Sequence, residues 1–198
     1  MQDHRARTDQ VPRSRRKPGL ERLQVHADEL FYRQGLSTGV EAILGAAQVA
    51  RGTLYNNLDG KAALIALYLD RRHEAALALF DEATSGTSCP TEAVCAVFSA
   101  LAERAREPGY RGCAFILAAA EDPVVAGPRA RAHKLAVRDR FARLCEGHVD
   151  DAAEVAEQLM LLYDGCLVAT TVRDSSVNQA PRAQDAATLL LRHHDTRH

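Results

Sequence analysis

Apolar residues recur three and four positions apart along most of the chain, which is the spacing of helices with one buried face. Leu20, Leu23, Ala27, Leu30 and Phe31 form one such stripe over about Leu20 to Gln34, and Gly35 follows as a stop. Thr38 and Glu41 have capping-box spacing and open a short helix over residues 42–47. Asp59 is placed to cap a long helix, about Gly60 to Ala83, with Leu64, Leu67, Tyr68, Leu79 and Phe80 facing inward. After a loop at residues 85–90, Thr91 caps a helix to about Arg106, which Pro108-Gly109 ends. A short apolar helix spans Arg111 to Glu121, and Pro128 begins one that reaches about Glu146. The last two helices cover about Asp150 to Val172 and Gln179 to His193. Prolines and glycines gather between these blocks and β-branched runs are few, so the pattern predicts an all-α protein.

The helix from Val155 to Val172 carries two apolar stripes. One is Val155, Leu159, Leu162, Cys166 and Ala169; the other is Ala156, Met160, Tyr163 and Leu167. A helix apolar on two faces must be covered on both. With Ala186, Leu189 and Leu190 of the last helix, the first stripe predicts a four-helix interface across a two-fold axis. A central helix in a monomeric bundle is the alternative.

The stretch VARGTLYNNLDGK, Val49 to Lys61, breaks the pattern. Gly, Thr and Asn are poor choices for a helix that only packs. Two short helices joined by a tight turn, after a longer supporting helix, make a helix-turn-helix. Its second helix must enter a major groove about 12 Å wide, which calls for small and hydrogen-bonding residues on the outer face. Gly52 removes a side chain there, and Arg51, Thr53, Asn56 and Asn57 offer donors and acceptors. Val49 and Leu54 point inward. Tyr55 can lay its ring on the protein and its hydroxyl on a phosphate, and Lys61 begins a helix whose free N–H groups favour one too.

Charge sharpens that reading. The 198 residues carry a net charge of -1, but residues 1–61 hold 10 basic and 7 acidic side chains and the remainder 15 and 19. A basic front of +3 and an acidic rear of -4 suit a chain whose N-terminal part meets a polyanion. Residues 1–18 are Arg-rich with little apolar content, a disordered basic arm that is either a solvated tail or an arm reaching along phosphates or into a minor groove.

The five cysteines, Cys89, Cys95, Cys113, Cys145 and Cys166, include no C-x-x-C, which argues against a disulfide framework or a structural zinc site. No metal or cofactor site, catalytic triad, phosphate-cradling loop or paired catalytic carboxylates is visible, so an enzyme is not expected. No apolar run is long enough to span a membrane and no signal peptide opens the chain, so the expected compartment is the cytoplasm. Residues Arg192 to His198 read as a frayed tail.

Thr38 through Leu44, Ala46 through Lys61, and the upstream Leu30, Phe31 and Gly35 together resemble the tetracycline-repressor (TetR) family. That motif usually reads T-x-x-x-I-A-x-x-A-G-V-S-x-G-T-L-Y-x-H-F-x-S-K, and the likeness spans about residues 20–68. The resemblance implies a three-helix DNA-binding domain, 19–62, and a helical ligand-binding and dimerisation domain, 63–198. It implies a homodimer on a palindromic operator, usually a repressor released by a small-molecule effector. By position, Ala50 to Asn57 form the recognition helix, comprising Ala50, Arg51, Gly52, Thr53, Tyr55, Asn56 and Asn57 as DNA-facing candidates, with Thr38, Tyr55 and Lys61 as phosphate contacts. The chain departs from the pattern at Gln48, where a turn glycine is usual and a left-handed backbone is required, at Asn57 and Leu58, and at Gly60. The segment between Gly35 and Thr38 is one residue short.

The second half carries weaker signals. Candidate pocket residues are Phe98, Leu101, Cys113, Phe115, Leu117, Phe141 and Tyr163, though the small residues around Cys113 equally suit plain helix packing. Cys113 and Cys166 raise the alternative of a small-molecule-binding or cysteine-based redox or electrophile sensor with vestigial DNA binding.

Overall fold

The computed structural model describes residues 18–172 and 179–196, so the basic arm, apart from Pro18, lies outside the described residues. Among the described residues the chain forms α1 (Pro18–Gln34), α2 (Val40–Ala47), α3 (Arg51–Tyr55), α4 (Lys61–Thr84), α5 (Pro90–Ala105), α6 (Ala114–Glu121), α7 (Gly127–Cys145), α8 (Ala152–Val172) and α9 (Ala180–His193). The all-α expectation holds.

Helix starts differ from the sequence reading for local reasons. Gly39, not Thr38, is the N-cap of α2, and it supplies no side chain. Thr38 sits one residue early, and its hydroxyl donates to the Gly35 carbonyl at 2.8 Å. Gly60, at φ 85, takes the N-cap of α4 in place of Asp59. Pro90 opens α5 behind Cys89 instead of Thr91, because a fixed φ suits a first turn. α6 begins at Ala114 rather than Arg111, since Gly112 lies at φ 91 and cannot continue a helix.

Two hydrophobic cores organise the helices. The first joins Leu23, Ala27 and Phe31 of α1 to Ile43 and Leu44 of α2, Leu54 of α3, and Leu64, Ile65, Tyr68 and Leu69 of α4. Ala114, Phe115 and Ala118 of α6 belong to this same core, although they lie far along the chain. The second core gathers Phe80, Val94, Phe98, Phe141, Leu159, Tyr163 and Ala187 from α4, α5, α7, α8 and α9. α4 therefore enters both cores, one near each end. Its 24 residues span about 36 Å.

α8 corrects two expectations. Its mean hydropathy reaches 1.2, so by length and composition it could cross a membrane, contrary to the reading that no stretch qualifies. Its inner face nevertheless fills the second core, and its Asp164 pairs with Lys134 of α7. Val155 and Leu159 are 0% exposed and Cys166 is buried, so they pack inside the chain's own core and are not available to a partner. The outward stripe is instead Leu161, 75% exposed, with Val168 and Val172, and Leu189 of α9 is 67% exposed. Leu162, Ala169, Ala186 and Leu190 lie half-buried between.

The C-terminal end is not frayed as far as Thr196. Asp150 donates its N–H to His194, and Thr196 donates to His148, around an isolated bridge between Val149 and Asp195.

Candidate nucleic-acid interface

The turn between α2 and α3 depends on Gln48. Its φ of 52 and ψ of 49 are left-handed, and it is the one non-glycine residue with positive φ among the described residues. The conformation costs roughly 1–2 kcal/mol, offset in part by backbone bonds from Gln48 to Gly45 and from Val49 to Leu44. Arg22 of α1 adds a bond to the Ala47 carbonyl at 3.2 Å.

α3 is short, five residues from an N-cap at Ala50, and one residue anchors it. Leu54 is 0% exposed in the first core. The start of α1 backs it closely: a Cβ on Gly19 would lie 3.3 Å from the Thr53 methyl. On the other face Ala50, Arg51, Gly52, Tyr55 and Asn56 are exposed. The Arg51 guanidinium lies 3.2 Å from Glu41 and 5.7 Å from the centre of the Tyr55 ring. An exposed pair of this kind is worth about 0–1 kcal/mol, so it holds the Arg51 side chain only weakly. Around Gly52 an added Cβ would meet nothing closer than Asn56 Nδ2 at 3.7 Å. Nothing inside the protein requires glycine there.

Two candidates spend their polar groups internally. The Asn57 amide donates to the Thr53 carbonyl at 2.6 Å, capping α3 from its own end. Buried Thr38 gives its hydroxyl proton to Gly35. Both therefore differ from the donors pictured from the sequence. Lys61 is half-buried as the first residue of α4.

Beside this unit lies a cavity of about 60 Å³ between α1, α4, α5, α6, α7 and α8. Of the expected pocket residues, Leu101, Cys113, Phe115 and Tyr163 line it. Phe98 and Phe141 do not, being sealed in the second core, and Leu117 is not part of the wall. Sequence reasoning missed Tyr32, Arg72, Arg104, Tyr110 and His133.

These residues tie the cavity to α1. The Tyr32 hydroxyl donates to the Gly112 carbonyl at 3.0 Å and accepts the Arg111 N–H at 2.8 Å. The Arg111 guanidinium returns a bond to the Tyr32 carbonyl at 2.7 Å. Gly112 has no room for a side chain, since a Cβ would fall 2.0 Å from the Thr171 hydroxyl oxygen of α8. Arg72 forks onto Asp28 of α1 at 2.7 and 3.0 Å and lies 4.1 Å from the Tyr32 ring centre. His133 stacks on Phe115 with ring centres 3.8 Å apart, and its Nδ1 is 3.2 Å from that of His73. Burial, then the charge of Lys134, pulls its pKa down to about 3, so it is neutral.

Among the described residues no group of three or more metal-binding side chains is gathered. All five cysteines are free thiols. Burial pushes Cys166 up and Cys145 up to about 11, which keeps both protonated and poorly reactive.

No protein-family model matches the chain, and no curated protein sequence does either. Solved structures do. A TetR-family transcriptional regulator from Streptomyces coelicolor is 30% identical, with a TM-score of 0.82 over 89% of this chain and 96% of that one. A TetR-type regulator from Streptomyces avermitilis is 28% identical, with a TM-score of 0.77 over 90% of this chain and 98% of that one. A TetR-family regulator from Cytophaga hutchinsonii shares the fold at 14% identity, with a TM-score of 0.78 over 96% of this chain and all of that one.

Proposed function

The chain belongs to the TetR family of transcriptional regulators, and on that premise we propose that it is a homodimeric repressor released from a palindromic operator by a small-molecule effector. Members of the family are not enzymes; they bind DNA and small-molecule effectors as dimers. The proposed division is a DNA-binding domain over 19–62 and an effector and dimer domain over 63–198, acting in the cytoplasm.

One observation carries the reading. Leu54 is sealed while its neighbour Tyr55 is 53% exposed, so α3 is pinned along one line and presents Arg51, Gly52, Tyr55 and Asn56 outward. That is what a helix needs to lie in a major groove. In this proposal Tyr55 and Lys61 take phosphates, and the free N–H groups at the start of α4 add to the Lys61 contact. Asn56 reads a base edge. Ala50 and Thr53 flank the contact, while Thr38 and Asn57 shape the two helix ends. Leu161, Val168, Val172 and Leu189 form the centre of the dimer surface, with Leu162, Ala169, Ala186 and Leu190 around them.

Size suggests how an effector acts. Ligand pockets commonly hold about 300–1,000 Å³, against about 60 Å³ here. An effector must part the walls to enter. Those walls include Tyr32 and Gly112, the pair that fastens α1 to the loop before α6. Entry thus loads the support of α3. It shifts the equilibrium only if the effector binds the non-DNA arrangement more tightly.

Footprinting of the full-length protein on the DNA upstream of its own coding sequence tests the reading. A protected, two-fold symmetric segment is expected. Uniform cleavage at protein concentrations that saturate other duplexes contradicts it.

A further inference from the structure

The charges around the cavity are one-sided. Arg72 and Arg104 line it, together with the phenols of Tyr32, Tyr110 and Tyr163, and no carboxylate does. Arg72 is already neutralised by its two-pronged bond to Asp28. The guanidinium of Arg104, a half-buried residue near the end of α5, forms no ion pair and no hydrogen bond among the described residues. Its far side borders a second cleft that holds Asp28, Glu29 and Glu107, but none of these carboxylates pairs with it. Its charge acts on the Tyr110 and Tyr163 hydroxyls, opposing the burial that raises both.

A guanidinium held partly out of water without a counter-charge is a receptor for one. It binds carboxylate-like groups through parallel N–H bonds, which are stronger than neutral hydrogen bonds. Much of the remaining lining is apolar, with Ala76, Leu79, Leu101, Phe115 and Leu167. A cation entering here meets the uncompensated Arg104 and no carboxylate on the lining.

We infer that the effector of this cavity is an organic anion, an aromatic or aliphatic body with one acidic group, whose charge is taken by Arg104 beside Tyr110 and Tyr163. This rests on the reading of the protein as an effector-released regulator and adds the chemical class of the effector.

Three probes of nearly equal shape separate the possibilities: benzoate, neutral benzamide and cationic benzamidinium. Each is titrated into the full-length protein by calorimetry, and its effect on DNA affinity is read in parallel. Benzoate is expected to bind about tenfold or more tightly than the other two and to weaken DNA binding. Arg104→Gln is expected to abolish that preference, and Arg104→Lys, which keeps the charge but not the paired N–H geometry, to restore only part of it. A melting curve confirms that each variant is folded. Binding of benzamide or benzamidinium at least as tight as benzoate, or an unchanged benzoate affinity in a folded Arg104→Gln, overturns the anion class and leaves the effector site standing. No binding by any of the three, with DNA affinity unmoved, overturns both.

Discussion

The Glu121 carboxylate accepts the Leu36 N–H at 2.5 Å, joining the end of α6 to the turn between α1 and α2 across 85 positions of sequence. The same carboxylate fills the space beside Gly35, where a Cβ would lie 2.7 and 2.8 Å from its two oxygens. Gly35 is at φ 93, so the turn needs glycine for its backbone as well as for its neighbour. With the bonds of Tyr32 to Arg111 and Gly112, this ties α1 and the turn after it to both ends of the segment that carries α6.

Gly35→Ala is expected to destabilise by about 1–2 kcal/mol through its left-handed backbone, with a further cost from the clash with Glu121. Glu121→Ala removes a charge-assisted bond worth about 1.5–3 kcal/mol. Because the clash vanishes with the carboxylate, the double variant is expected to lose less than the two losses combined, by about 0.5 kcal/mol or more. Denaturant unfolding of the four proteins measures this. Strict additivity would show that the two residues do not meet.

Gly52→Ala separates stability from recognition. Open space surrounds the position, so an alanine fits and stabilises the helix by about 0.5–1 kcal/mol. The added methyl projects from the exposed face of α3. A higher melting temperature with weaker DNA binding is expected; weaker binding together with lower stability would point to a packing role instead.

Lys61→Ala and Tyr55→Phe remove phosphate contacts in this account. Both are expected to weaken binding to every duplex by a similar factor, whatever its sequence. Lys61→Ala also lowers the slope of log affinity against log salt by about one. An unchanged slope for Lys61→Ala would remove it from the interface.

His133 sets a pH dependence of stability. Its pKa falls from an ordinary 6.5 in the unfolded chain to about 3 in the folded one. Between those values the unfolded chain holds the extra proton, so the stabilisation is complete above about pH 6.5 and is lost as pH falls toward 3. The loss is roughly 1.4 kcal/mol per pH unit in that window. The neighbouring charges of Lys134, His73 and Arg140 all oppose a proton on His133. His133→Asn is expected to flatten the acid limb of stability against pH; an equally steep limb would assign it to the carboxylates.

Parts of this were readable in the chain, for physical reasons. The period of Leu23, Ala27 and Phe31, and the Gly52-Thr53-Leu54-Tyr55 run, each report one local demand: a buried stripe and a bare outer face. Gln48 reported its left-handed turn because a glycine is usual there. The facing of α8 was not readable. Apolar residues nearly encircle it, so Val155 and Leu161 look alike until neighbours choose which is covered. The cavity was not readable either. Tyr32, Arg72 and Arg104 lie on three helices, and each looks like the polar edge of an amphipathic one. Their meeting is set by α6 joining the first core through Phe115, a long-range contact that no local period encodes.

In the proposed dimer, two copies of the exposed α3 face read a symmetric site. Selection of binding sites from random duplex DNA by the full-length protein tests it most directly. An enriched palindrome is expected, with half-sites about one helical turn apart, centre to centre, and Asn56→Ala is expected to relax preference at the same position in both halves. Enrichment of no sequence, or of a single asymmetric one, would contradict it.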